Sequence, residues 1–156
     1  MNAVELLKKD HEVVKQLLTK LSNTTERGVK TRLDLLNKIH AELAVHTDIE
    51  EQIFYPAYKN AGGKEEAKMD AEAKEEHRTV DSLVLPDLLQ TDPASIEFAG
   101  RVKVLKELLE HHIEEEEKEM FPQANKLLGK QKLEALGAQM EARKRELKQS
   151  LTSSAA

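Results

Sequence analysis

Apolar side chains recur three and four residues apart along most of the chain, which is the pattern of helices that bury one face. Asn2, with Glu5 three residues later, predicts a capped helix start, and this first helix is expected to end near Asn23. Its apolar seam is Leu7, His11, Val14, Leu18 and Leu21. A second helix is predicted from about Val29, and Pro56 is expected to end or kink it. Its seam is Leu36, Ile39, Leu43, His46, Glu50, Ile53 and Ala57.

Two further helices follow in the middle of the chain. The third is predicted from about Lys64, and Pro86 interrupts it near its end, so that residues 87–90 are expected to form a short turn. Asp92 and Pro93 predict the start of the fourth helix, with Asp as the N-cap and Pro at the first helical position. The third seam is Ala73, His77, Val80 and Val84, and the fourth, which ends at Pro122, is Phe98, Val102, Leu105, Leu109, His112 and Glu116.

A weaker amphipathic pattern after Gly129 predicts a fifth helix, docked outside the others, and residues 150–156 are expected to form a frayed tail. The apolar positions of this helix are Leu133, Leu136, Met140 and Leu147. Four helices of roughly 20–30 residues with short connections imply an antiparallel up-and-down bundle. The predicted fold is therefore an all-α four-helix bundle over residues 1–128, followed by a C-terminal helix and tail over residues 129–156.

The chain repeats one design at an offset of 66 residues. The pairs separated by this offset are His11 and His77, His46 and His112, Glu50 and Glu116, and Pro56 and Pro122. Each half is therefore predicted to be a helical hairpin that supplies one histidine from its first helix and a histidine and a glutamate from its second. Residues four apart on a helix share one face, so this histidine and glutamate point the same way.

Six ionisable side chains converge on the axis of a bundle with this pseudo-two-fold repeat. They are His11, His46, Glu50, His77, His112 and Glu116. Leaving such groups buried and unpaired costs roughly several kcal/mol. A hydrogen-bonded core of His–Glu pairs is one remedy, but a metal site uses all six, because imidazole and carboxylate suit iron, manganese or zinc. Two carboxylates among six ligands suit a pair of bridged ions about 3.5–4 Å apart.

Charge and composition narrow the function further. A net charge of −5 disfavours nucleic-acid binding, which needs a basic surface. The absence of cysteine excludes disulfides, zinc fingers, iron–sulfur clusters and thiol catalysis. No apolar run approaches the roughly 18–20 residues of a membrane span, and the amino terminus lacks the layout of a signal peptide. The expected location is the cytoplasm, with no membrane partner.

The ordered motifs resemble those of the hemerythrin family, specifically the hemerythrin-like domains called HHE cation-binding domains. The motifs are Asp10-His11-Glu12, His46-xxx-Glu50 before Phe54-Tyr55-Pro56, Glu76-His77-Arg78, and His112-xxx-Glu116 before Met120-Phe121-Pro122. The resemblance covers about residues 2–125. It implies a non-haem centre of two iron ions with an oxo or hydroxo bridge, in which Glu50 and Glu116 are the bridging carboxylates. Family members bind dioxygen or nitric oxide, sense oxygen or iron, or decompose peroxide.

The chain departs from the family pattern at one position. Oxygen-carrying hemerythrins have five histidines, two of them four residues apart on the third helix, whereas the neighbours of His77 at that spacing are Ala73 and Asp81. Asp81 could supply a carboxylate ligand, although a solvated helix residue is the favoured interpretation. With one imidazole fewer, more metal positions are open to water, peroxide or another small ligand. This favours reactive chemistry over reversible oxygen carriage.

Other residues near the motifs are assigned lesser roles. His40 and His111 lie about 120° and 100° away from the ligand seam, so surface or flanking positions are expected. In the run Glu114–Glu117 only Glu116 is in register, and Tyr55, placed half a turn away, is not proposed as a ligand. The residues four positions after the two seam glutamates, Phe54 and Met120, are expected to wall the pocket, which plain core packing would also explain.

Three functions are compatible with these residues. The first is catalase-like turnover of peroxide at the di-iron pair, and the one imidazole fewer favours it. The second is carriage, storage or sensing of O2, NO or iron without turnover, in which a protein partner would contact the helix after Gly129. The third, a structural bundle with a polar core, is the least favoured. A ferritin-like site is disfavoured, because the sequence has no Glu-x-x-His spacing.

Overall fold

Helices make up nearly all of the structure, a computed structural model that describes residues 1–155, with side chains as far as residue 152. The α-helices in this range are α1 (Ala3–Ser22), α2 (Val29–Ile49), α3 (Tyr55–Ala61), α4 (Lys64–Thr79), α5 (Leu85–Leu89), α6 (Ile96–Glu115) and α7 (Phe121–Ala155). Three π-helical segments join α2 to α3, α4 to α5 and α6 to α7: Glu50–Phe54, Val80–Val84 and Glu116–Met120. The predicted all-α four-helix bundle with a C-terminal helix is confirmed.

The two predicted helix starts have different outcomes. The capping box of α1 is present, because the Asn2 side chain accepts from the Glu5 backbone N–H at 2.9 Å and the Glu5 side chain accepts from the Asn2 backbone N–H. The prediction of an N-cap at Asp92 is wrong. Asp92 instead accepts from the Ala94 backbone N–H within the loop, and Ser95 caps α6 by accepting from Phe98 N–H at 3.1 Å. Asp and Ser are both good caps, so the pattern alone selected the earlier one.

None of the prolines Pro56, Pro86 and Pro122 ends its helix, although an end was among the outcomes predicted for them. Pro56, Pro86 and Pro122 each lie two residues after a π-helical segment, and the chain stays helical through all three. Proline has no N–H, and its ring clashes with the carbonyl four residues earlier in an α-helix. A wider π-helical turn just before the ring removes that α-helical pairing. The predicted turn at residues 87–90 is therefore the end of α5 at Leu89.

Each π-helical segment also shifts the buried face of the residues that follow it. The seam predicted Ile53 and Ala57 as core positions, but both are only partly buried, whereas Phe54, Tyr55 and Tyr58 are fully buried. A π-helical turn contains about one more residue than an α-helical turn, so later side chains lag roughly one residue behind the expected register. This shift brings an aromatic residue toward the bundle axis.

The α7 helix bends sharply at Gly129, where φ is 77° and ψ is 169°. This left-handed backbone favours glycine, which has no Cβ. The arm after the bend, residues 130–155, folds back over the bundle and buries Leu133, Leu136 and Met140, as predicted for the fifth helix. Helical structure continues to Ala155, and the frayed tail stays a prediction. The last residue of the predicted tail, 156, lies outside the described part of the chain, and the division at residue 128 stays a prediction.

The bundle buries two apolar clusters with a polar layer between them. The lower cluster joins the start of α1 to α3 and α7, with the largest side chains at Phe54, Tyr58 and Phe121. The upper cluster is built mainly from Leu, Val and Ile of α1, α2, α5 and α6, together with Phe98 and with Val80 of the second π-helical segment. The predicted ligand residues lie between these clusters along each helix. Over residues 1–155 the structure contains no helix that is long and apolar enough to span a membrane.

Candidate metal centre

All six predicted ligand side chains meet in the polar layer, and none is more than 7% exposed. α2 and α6 each have a histidine in their last turn, and the π-helical segment that follows each of them begins with a glutamate. The remaining two histidines come from α1 and α4. The side chains fall into two groups that share Glu50: His11, His46, Glu50 and Glu116, and Glu50, His77 and His112. Each group could hold one cation.

The two glutamates connect the two hairpins. Glu50 Oε1 lies 3.1 Å from His46 Nε2 of its own helix and 3.1 Å from His77 Nε2 of the other hairpin. Glu116 Oε1 lies 3.2 Å from His112 Nε2 of its own helix and 3.1 Å from His11 Nε2 across the bundle. Each of the two carboxylates therefore has histidines from both halves of the repeat around it.

Each histidine is held on its other ring nitrogen by a carboxylate. The four Nδ1 contacts are His11 to Glu117 at 2.7 Å, His46 to Asp10 at 3.0 Å, His77 to Glu51 at 2.6 Å and His112 to Glu76 at 2.6 Å. An ionised carboxylate only accepts hydrogen bonds, so Nδ1 carries the proton in each pair. Nε2 then presents its lone pair to the centre, which is the arrangement usual for metal-bound histidine.

Two of these carboxylates revise the sequence interpretation. Glu117 is out of register with the predicted ligand seam, but it holds His11, and Glu51 holds His77 in the same way. Their positions differ by the repeat offset of 66, as do those of Asp10 and Glu76. The repeat offset therefore identifies all four supporting carboxylates in the sequence. The two that follow a ligand glutamate directly lie on the solvated side of an α-helical wheel.

The electrostatics of the layer favour positive charge at the histidine rings. Burial alone would lower the pKa of His46, but the charge of Glu50 and the hydrogen bond to Asp10 raise that pKa to about 10. Burial likewise opposes charge on His77, and Glu50 and Glu51 raise its pKa to about 9. Burial would raise the pKa of Glu50, yet the charge of His46 holds it well below its usual range. The carboxylates thus favour a cation at Nε2, whether proton or metal.

Several polar atoms of the layer require a cation. His46 Nε2 and Glu50 Oε2 are buried and have no hydrogen-bond partner. His77 Nε2 and His112 Nε2 lie 3.1 Å apart, and with the proton on each Nδ1 these two lone pairs would face each other. Buried unpaired polar atoms are rare and cost about 1–3 kcal/mol each. Coordination to metal ions would satisfy all four atoms, so the donor set fits a metal centre.

Tyr55 belongs to the centre, contrary to its predicted position half a turn away. Its hydroxyl donates to Glu116 Oε2 at 2.7 Å and lies 3.4 Å from His77 Nε2 and 3.5 Å from His112 Nε2. The π-helical turn before Tyr55 explains the error, because it rotates the residue back toward the axis. Burial and the negative charge of Glu116 raise the Tyr55 pKa well above its ordinary value, so the hydroxyl keeps its proton.

Aromatic rings support one histidine in each half. Tyr55 stacks on His77 with ring centroids 5.5 Å apart, and Phe121 stacks on His11 at 5.7 Å. These two aromatic residues are also 66 positions apart, so the repeat differs here only by one hydroxyl. Phe54 and Met120, predicted to wall the pocket, are buried in the lower apolar cluster.

The remaining candidates lie at the edge of the centre. Asp81 is exposed and falls outside both ligand groups, although it lines a small cavity beside the four histidines. This cavity holds about 20 Å³, room for one water-sized molecule, and Val14, Leu43 and Leu109 form part of its apolar wall. The two histidines predicted to lie off the seam, His40 and His111, are both exposed.

A buried cluster of four histidines and two glutamates inside a helical bundle defines this chain as a candidate metal-binding bundle protein. The sequence profile of the hemerythrin HHE cation-binding domain matches residues 2–124. The chain belongs to this family.

Similar proteins extend the likeness beyond the family profile. Uncharacterized proteins of Mycobacterium tuberculosis and Mycobacterium bovis are each 33% identical over an alignment of 154 residues, and each match covers 95% of this chain and 88% of the relative. A crystal structure of a hemerythrin HHE cation-binding domain-containing protein from Mycobacterium kansasii matches with a TM-score of 0.83 at 33% identity. That match covers 96% of this chain and 89% of the other. Such coverage includes most of the arm of α7 after Gly129.

Proposed function

We propose that this chain is a non-haem di-iron protein that decomposes hydrogen peroxide into water and dioxygen. The residues that would hold the ions are His11, His46, Glu50, His77, His112 and Glu116, with Glu50 common to both ligand groups. The observation that carries this proposal is the pair of buried ligand groups that share Glu50, with every Nε2 presented to the centre. Iron is chosen over manganese or zinc because of the family, since His and Glu suit all three.

Two bound iron ions supply the electron exchange with an oxygen-derived small molecule that side chains alone lack. The chain controls which molecules reach them. The cavity beside the histidines has room for a molecule about the size of water, and its apolar walls exclude larger polar solutes. Hydrogen peroxide, dioxygen and nitric oxide are small enough to be candidate ligands.

The two ligand groups are unequal, and this favours turnover over simple carriage. One group has four protein donors, whereas the other has Glu50, His77 and His112. Fewer protein donors leave more positions open to a small ligand. The protonated hydroxyl of Tyr55 lies within 3.5 Å of both histidines of the smaller group. In the structure this hydroxyl donates its hydrogen bond to Glu116. By turning away from Glu116 it can donate to a ligand there instead.

Peroxide turnover tests this proposal directly. Iron-loaded protein should release one molecule of dioxygen for every two molecules of hydrogen peroxide consumed, as measured with an oxygen electrode. His112→Ala, loaded in parallel, should release dioxygen at a rate no higher than free iron at the same concentration. A wild type that releases none, yet forms a stable adduct with dioxygen or nitric oxide, would instead support reversible binding or sensing. The cytoplasmic location stays a prediction.

A further inference from the structure

One of the four carboxylates that hold the histidines differs from the others in its surroundings. Asp10, which holds His46, is 3% exposed. Glu51, Glu76 and Glu117 hold the other three histidines, and their side chains are 30%, 23% and 27% exposed. Water can solvate these three carboxylates but not Asp10. Burying a carboxylate is costly unless a charged or hydrogen-bonding partner compensates.

The partner of Asp10 comes from the C-terminal arm of α7. Lys144 Nζ donates to Asp10 Oδ1, while Asp10 Oδ2 accepts from His46 Nδ1 at 3.0 Å. Among the side chains that the structure describes, no lysine contacts the corresponding carboxylate of the opposite half. Glu76 stands 66 residues after Asp10, and its free oxygen lies 3.6 Å from His111, which is 62% exposed. The two halves of the repeat therefore differ in what lies beyond the carboxylate.

The attachment of the arm does not require Lys144. Leu133, Leu136 and Met140 are buried against the bundle, and Arg143 forms a two-pronged pair with Asp48 of α2 at 2.9 and 3.2 Å. Lys144 is 22% exposed, and its ammonium group reaches past the surface to a buried carboxylate. Arg143 and Lys144 are thus neighbours on one helix that each bind an aspartate, and only one of the aspartates contacts a predicted ligand.

We propose that Lys144 is a positioning residue for the metal centre, which it reaches through Asp10 and His46. It holds the Asp10 carboxylate in place through one oxygen, so that the other oxygen can hold the His46 ring with Nε2 toward the centre. The ion bound by His46 is therefore enclosed by the C-terminal arm, whereas the ion bound by His77 and His112 is the more easily released one. This inference rests on the proposed di-iron centre and gives the C-terminal arm a role in it.

Iron release tests the inference through a matched pair of variants. Lys144→Met and Arg143→Met each remove one charge from the same helix turn. Iron-loaded proteins are mixed with an excess of a coloured iron chelator, and release is followed by absorbance, together with the near-ultraviolet spectrum of the bound iron. Wild type should release iron in two phases. Lys144→Met should speed the slow phase several-fold, Arg143→Met should leave it unchanged, and Lys144→Arg should restore most of the slow phase.

Two further variants, each at a carboxylate that holds a histidine, test which phase of iron release depends on which carboxylate. Asp10→Asn should speed the slow phase by about 10-fold or more, since partners of ligand histidines typically contribute 10–100-fold to metal affinity. Glu76→Gln should act on the fast phase instead. Thermal unfolding followed by circular dichroism checks that each variant is folded, and Lys144→Gln, which also removes the charge, is the substitute if Lys144→Met does not fold.

The outcomes separate this inference from the proposed function. If wild type holds two iron ions while Lys144→Met and Arg143→Met release them alike, Lys144 is only a surface clamp and the inference is overturned. Release of both ions in one phase would likewise contradict an enclosed and an open ion. A wild type that retains no iron would overturn the proposed function, and this inference with it.

Discussion

At the scale of single residues, the centre is built from histidines that are held at both ring nitrogens. Each Nδ1 contacts a carboxylate at 3.0 Å or less, and each Nε2 faces the shared glutamates. This double contact fixes the tautomer and the ring plane before any ion binds. Such preorganisation is what a metal centre requires of its ligands.

Exchange of neighbouring histidines tests which rings bind metal. His46→Ala and His112→Ala should lower the iron content by about half or more, because each removes a donor from a group of three or four. His40→Ala and His111→Ala should retain the wild-type content, since both side chains are exposed. Iron is measured by plasma mass spectrometry after desalting. Equal losses in all four variants would mean that the ligand assignment is wrong.

Tyr55→Phe tests the hydroxyl that distinguishes the two halves. The variant keeps the ring that stacks on His77, as Phe121 does for His11, and loses the hydrogen bond to Glu116. Iron content should stay at the wild-type value, while the peroxide turnover falls and the free energy of unfolding drops by about 1 kcal/mol.

Tyr58→Phe is the control for this variant, because its hydroxyl contacts Met69 and Gln123 rather than the centre. It should retain wild-type turnover. If Tyr55→Phe loses as much iron as His46→Ala, the tyrosine itself is needed to hold the ions.

At the scale of helices, the π-helical segments decide which residues face the centre. Each precedes a proline by two residues, and two of the three begin at a ligand glutamate. The residue after each of those two segments, Tyr55 or Phe121, is thereby turned onto a histidine ring. In each of these helices the aromatic residue follows the ligand histidine by nine positions and the proline follows it by ten. The backbone next to the proline thus decides which side chain enters the site.

The docking of the C-terminal arm depends on a close approach at Gly137. A Cβ at this position would lie 2.8 Å from Asn2 C and 3.0 Å from Ala3 N, and even closer to the carbonyl oxygen of Met1. Gly137→Ala should therefore lower the free energy of unfolding by about 1–3 kcal/mol. Urea unfolding followed by circular dichroism measures the change.

Gly100→Ala is the matched control for this substitution. Gly100 is exposed within α6, and an added Cβ there meets nothing within 4 Å. It should leave stability unchanged or raise it by up to about 1 kcal/mol, because alanine is the better helix former. If the two variants unfold at the same urea concentration, the arm does not pack as described.

The helices were predictable from the sequence wherever apolar spacing and caps agreed. That spacing and the caps predict the four bundle helices, the capping box at Asn2 and the fifth helix. The repeat offset identifies the six converging side chains. Tyr55 and Glu117 were not found, because an α-helical wheel assumes one rotation per residue and a π-helical turn breaks it. The contact between Lys144 and Asp10 could not be predicted from the sequence, because it depends on how the arm folds back.

At the scale of the whole molecule, a charged layer separates two apolar clusters, and the ions are expected to hold the layer together. The metal-free protein should lose stability as the pH rises. The pKa values of His77 and His46 are raised from 6.5 to about 9 and about 10, so the folded state binds protons more tightly than the unfolded state. This stabilisation is fully present below about pH 6.5 and is lost as the pH rises through 9 and 10.

Thermal unfolding midpoints of chelator-treated protein between pH 6.5 and pH 10 test this dependence. The midpoint should fall across the range, and at every pH the iron-loaded protein should unfold at a higher temperature, because ions that bind only the folded state stabilise it. A midpoint that rises with pH in the metal-free protein would contradict the described charge pattern of the layer.

The central claim is that the polar layer holds two iron ions, and metal content tests it most directly. The protein is expressed with added iron, purified without chelators and desalted, and its iron, zinc and manganese are quantified against protein concentration. About two iron ions per chain are expected, with zinc and manganese well below that level. A folded wild-type protein that emerges free of metal, or that binds iron no better than the His46→Ala/His112→Ala double variant, would contradict the central claim.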